Sequence, residues 1–121
     1  MSIDSIIGKT MAAVTQRGAH CIEFEATTGE RWGMFHMQDC CESVLIEDIV
    51  GDLGDLVGSP IVMAEESRNK DNPKSDECEE HTWTFYKLAT AKGYVTIRWY
   101  GSSNGYYSED ASFEQTWPVP S

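Results

Sequence analysis

Apolar and polar positions alternate cleanly over His20 to Ala26, "HCIEFEA". Ile22 and Phe24 fall on one face, and Cys21, Glu23 and Glu25 on the other. A period of two marks a strand buried on one side. "TTGE" supplies a turn, and Arg31 to Met37 alternates again, setting Trp32, Met34 and His36 against Gly33, Phe35 and Met37. The two segments read as a hairpin. A second hairpin is predicted over Thr82 to Gly101, where "TWTFYKLAT" and "YVTIRWYG" flank the turn "AKG". On its second strand Val95, Ile97 and Trp99 share one face, and Tyr94, Thr96, Arg98 and Tyr100 share the other.

Elsewhere the periodicity is mixed. The apolar stretch before the turn signal Arg17-Gly18 fits a short strand or one or two helical turns. Val44, Leu45 and Ile46 favour a strand, whereas Ile49, Val50, Leu53, Leu56 and Val57 follow helical spacing. Gly51 and Gly54 weaken that helix, and Gly58 with Pro60 would stop it. A short helix is therefore expected over Ile49 to Val57. Pro60 to Glu66 opens a further strand. Residues 67–80 read as a mobile polar surface loop. Asn104-Gly105 is a strong turn signal, with a last strand expected near Tyr106 to Gln115 and an extended tail over 116–121. These elements predict an α+β, mainly β fold. Its expected form is a curled antiparallel sheet of about six or seven strands covering one short helix, in a single domain over residues 1–121.

Charge narrows the possible partners. Nine Lys and Arg against 20 Asp and Glu give a formal net charge of −11. A chain this acidic is repelled by nucleic-acid backbones and anionic membranes, so direct binding to either is not expected. The charge serves solubility, or it forms an acidic surface that imitates DNA and occupies a basic groove on another protein. No long apolar run and no leader-like start stand in the sequence, so a cytoplasmic protein is expected. Cys21, Cys40, Cys41 and Cys78 are then expected as free thiols.

The stretch "GMFHMQDCCESVLIED" gathers His36, Asp39, Cys40, Cys41 and Glu42. Adjacent cysteines on a strand point to opposite faces, and the common zinc modules separate their paired cysteines by a few residues, so no metal is assigned. A nucleophilic cysteine would need a lowered pKa, which Asp39 and Glu42 oppose. His36 with Asp39 or Glu42 could still act as an acid–base pair, and Cys21, Cys78, His20 and His81 could complete a metal site from afar, so a small Cys/His enzyme or metal-binding protein stays open as an alternative. The second constellation, "RWYGSSNGYY", crowds Arg98, Tyr100, Asn104 and Tyr107 near one strand end. Arginine supplies planar donors and tyrosine stacks on flat rings, which suits a pocket or a protein-binding patch. A hairpin with ordinary cross-strand aromatic pairs would look the same. No GxGxxG, P-loop, HExxH or GxSxG signature occurs, and no cofactor is assigned.

The runs "HMQDCCESVLIEDIVGDLGDLVGSPIVMAEE" and "TWTFYKLATAKGYVTIRWYGSSNGYYSE" resemble a family of small uncharacterised proteins of tailed phages and bacterial mobile elements. The resemblance covers about Gly29 to Glu109. It carries no established activity and transfers no catalytic residue. It implies a phage-type accessory protein, at work in the host cytoplasm if phage-encoded. The first expectation is a non-enzymatic counter-defence protein that captures a small nucleotide-like immune signal. Arg98, Tyr100, Asn104 and Tyr107 would contact the ligand, with His36, Gln38 and Asp39 as the opposite wall. The alternative is an acidic inhibitor that docks on a host nuclease or CRISPR effector through Glu47, Asp48, Asp52 and Asp55. A homo-oligomer is compatible with both.

Overall fold

The computed structural model describes residues 3–36, 42–71, 80–103 and 111–118. A 3-10 helix at Ile3–Ile6 leads into β1 (Met11–Arg17), β2 (Cys21–Ala26), β3 (Arg31–Phe35) and β4 (Ser43–Val50). A second 3-10 helix at Leu53–Leu56 precedes β5 (Met63–Asp71), β6 (Glu80–Thr90), β7 (Gly93–Ser103) and β8 (Ser112–Trp117). All strand pairs are antiparallel. They form two four-stranded sheets, ordered β1-β2-β3-β8 and β4-β7-β6-β5.

The predicted hairpins are present. β2 pairs with β3, and β6 pairs with β7 across the two-residue turn Ala91-Lys92, from Thr90 opposite Gly93 to Glu80 opposite Ser103. The alternation assigned each face correctly: Ile22, Phe24, Trp32 and Met34 are buried in the first sheet, and Val95, Ile97 and Trp99 in the second.

The single curled sheet is replaced by two sheets that bury their apolar faces in one shared core. Phe24 meets Phe113 edge-on, with ring centroids 5.4 Å apart, and Trp32 stacks on Phe113 at 6.5 Å. The buried Tyr86 hydroxyl donates to the Ala111 carbonyl at 3.1 Å. At one margin the Ile46 amide on β4 donates to the Ala19 carbonyl in the β1–β2 turn at 2.7 Å. Opposite, β1 bridges Val57 and its neighbour Thr10 bridges Pro60.

The helix expected over Ile49 to Val57 is not formed. Ile49 and Val50 end β4, and Gly51 breaks the strand at φ 104°. The Asp52 carboxylate then accepts the Gly54 amide at 2.8 Å and caps one 3-10 turn. The spacing of Leu53 and Leu56 was real, but it serves one turn that inserts the buried Leu56. Loop and tail boundaries also move. Ser67 to Asp71 continue β5, and Trp117 belongs to β8; residues 72–79 and 119–121 lie outside the described residues. The amino-terminal stretch holds both a helical turn and a strand. No described helix is long and apolar enough to cross a membrane.

Candidate functional site

The outward face of the second sheet concentrates aromatic side chains. Register sets Asn69, Trp83, Tyr100 and Leu45 in one row across the four strands, with His81 and Ser102 in the next row. Trp83 and Tyr100 lie 5.3 Å apart between ring centroids, and His81 stacks on Tyr100 at 5.7 Å. A hydrogen bond joins His81 Nδ1 to the Tyr100 hydroxyl. All three rings are half-buried, as are Phe85, Leu45 and Arg98 beside them.

A bulge in β4 shapes the edge of this patch. The register slips between Ile46 and Asp48, so Glu47 and Asp48 both come up against Arg98. Glu47 Oε1 lies 2.9 Å from Arg98 Nε, and Asp48 Oδ2 lies 4.0 Å from a terminal guanidinium nitrogen. Two carboxylates on one guanidinium leave the cluster with one net negative charge.

The residues expected from sequence are thus distributed in three places. Arg98 and Tyr100 share the aromatic face, as the alternation predicts. His36 sits just past β3 with its side chain 4% exposed, and its Nε2 lies 3.2 Å from Oε2 of Glu42, which is fully buried. That pair joins the end of β3 to the start of β4, away from the outward face that carries Arg98. Gln38, Asp39, Cys40, Cys41, Asn104 and Tyr107 lie outside the described residues. Of the four acids proposed for docking, Glu47 and Asp48 border the aromatic patch. Asp52 is the helix cap, and the Asp55 carbonyl accepts the Thr90 hydroxyl. No group of three His, Cys, Asp or Glu that could hold a metal occurs among the described residues.

His81, Trp83 and Phe85 were not expected from the sequence as members of this face. The turn is Ala91-Lys92 rather than the three residues "AKG", and the register it fixes places Trp83 opposite Tyr100.

A second feature lies on the outward face of the first sheet, a groove of about 420 Å³. Gly33 is buried, and its lack of a side chain leaves room for the half-buried Phe35 ring beside Arg31 on β3. The Phe35 ring stands 3.1 Å from where a Cβ on Gly33 would be. Two ion pairs flank the groove, Arg17 with Glu23 at 3.2 Å and Arg31 with Glu25 at 3.7 Å. The half-buried Cys21 thiol also lines the groove. Burial, and then the neighbouring Glu23 carboxylate, raise its pKa above the ordinary cysteine range, so it stands as a neutral thiol at pH 7.

Compared with curated proteins and with solved structures, the chain matches none. A family model described as "Domain of unknown function (DUF7448)" matches residues 4–113, nearly the whole chain, and the protein belongs to that family.

Proposed function

We propose that this protein acts by binding, and that it docks on a positively charged protein surface through the outward face of the β4-β7-β6-β5 sheet. The observation that carries this reading is the half-buried Trp83–Tyr100–His81 cluster beside an arginine already held by two carboxylates. Tryptophan, tyrosine and arginine are the side chains that dominate binding energy at protein interfaces. The acids at the rim match a basic partner, and a chain of net charge −11 is steered toward one over long range. Within a phage-type accessory protein, a nucleic-acid-binding host defence protein presents the right charge. A nucleotide-like ligand at Arg98 is the competing reading. Its phosphate would have to displace Glu47 from the guanidinium, which favours a protein partner for this face.

The test uses the purified chain as bait in host lysate at low and high salt, with captured proteins quantified by mass spectrometry. Trp83→Ala with Tyr100→Ala, and separately Glu47→Lys with Asp48→Lys, are run beside the wild type. A partner with a basic surface, lost with both pairs of changes and released by salt, is the expected result. A partner retained by both variants, or no partner at all, removes the proposal.

A further inference from the structure

We infer that the groove on the outward face of the first sheet is a separate small-ligand site, and that it takes an uncharged planar heterocycle of the nucleobase or nucleoside class. Its size comes first. A volume of about 420 Å³ lies within the range of small-molecule pockets. It is also a different place from the aromatic face, since none of Trp83, Tyr100 and Arg98 lines it.

Shape selects a flat ligand. The Phe35 ring covers the buried Gly33, is itself only half-buried, and lines the groove together with Arg31. A planar ring can stack against Phe35 with the Arg31 guanidinium beside it. Stacking of a base on an aromatic or guanidinium plane contributes about 1–3 kcal/mol, whatever the base.

Charge selects an uncharged one. Arg17 and Arg31 are two of the nine basic residues of the chain, and each is matched by one glutamate in the same groove. The site is therefore locally neutral on a protein of net charge −11. A polyphosphate would meet no excess of positive charge there and would be opposed by the rest of the molecule. A base edge, by contrast, carries donors and acceptors side by side, which is what paired guanidinium and carboxylate groups can answer.

The existing pairs leave room for this exchange. Both are solvent-exposed, with side-chain exposures of 62% and 55% for Arg17 and Glu23, and 60% and 43% for Arg31 and Glu25. Such pairs contribute little to stability, so opening one for a ligand costs little. The Arg31 side chain approaches Glu25 only to 3.7 Å, beyond hydrogen-bond distance. Cys21, held as a neutral thiol, serves as an apolar wall rather than a nucleophile, and binding is non-covalent.

The test is titration of the full chain with adenosine, guanosine, cytidine and uridine, each beside its triphosphate, followed by two-dimensional NMR. Saturable shifts confined to residues around Gly33 are expected with at least one nucleoside, and the matching triphosphate should bind no more tightly. Gly33→Leu displaces the Phe35 ring, and the exposed change Arg31→Ala removes the donor. Each should weaken binding by about tenfold or more at unchanged NMR dispersion. Arg31→Ala keeps the test decisive if the Gly33 variant does not fold. The inference is overturned if no nucleoside shifts these residues, if a triphosphate binds more tightly than its nucleoside, or if Arg31→Ala binds like wild type.

Discussion

Gly51 shows how one backbone position fixes a boundary. It lies at φ 104°, where residues with a side chain are strained, and a Cβ there would stand 2.5 Å from the Tyr94 carbonyl oxygen. Gly51→Ala should therefore destabilise the fold by about 3 kcal/mol, a melting temperature lower by roughly 10 °C. Calorimetry of the variant checks this, and a change within a degree would mean that the turn relaxes without cost. The same residue shows what single positions reveal in a sequence. A glycine at the end of an apolar run announces a break in regular structure, but not whether a helix or a strand is broken. Arg98 and Tyr100 were legible as neighbours on one face because alternation assigns faces. The bulge that turns both Glu47 and Asp48 toward Arg98 was not, since an irregular register leaves no mark in composition.

At the scale of elements, the β6–β7 hairpin was the most legible part of the chain. Its inner face also holds a polar exception. Thr84 is fully buried, and its hydroxyl has no hydrogen-bond partner among the described residues. Valine has nearly the same shape without the polar atom. Thr84→Val should leave stability unchanged or raise it by up to about 1 kcal/mol, read from urea or thermal unfolding. A loss larger than that would show that the hydroxyl is satisfied. β5 was legible only over its first half. Beyond Ala64 its next five residues, Glu65 to Asn69, are all exposed, so no hydrophobic alternation marks them. Glu66 and Arg68 stand on the same side of the strand as the buried Ala64, and the two are joined at 2.9 Å. Charges on the inward side of an edge strand discourage a second sheet from pairing there. A polar strand of this kind reads as a loop until its partner is known.

For the whole molecule, 20 acids against nine bases mean that folding concentrates negative charge. The ion pairs Arg17–Glu23, Arg31–Glu25 and Arg98–Glu47 are at the surface and contribute little each. Raising sodium chloride from about 0.05 to 0.5 M should therefore raise the melting temperature by a few degrees, as repulsion is screened more than attraction. A fall would show that the ion pairs outweigh the net charge.

The sequence by itself determined the β character, both hairpins, the buried faces of β2, β3 and β7, and the acidic surface. Each follows from local periodicity or from composition, which need no knowledge of distant residues. Tertiary structure alone decided that the strands divide into two sheets rather than one, because sheet order depends on pairings such as β3 with β8 and β4 with β7, far apart in the chain. It also decided where the candidate sites lie. The aromatic patch needs four strands in register, and the groove over Gly33 needs β1, β2 and β3 side by side with Thr116 of β8. An alternation tells which way a side chain faces; only the assembled sheet tells what stands next to it.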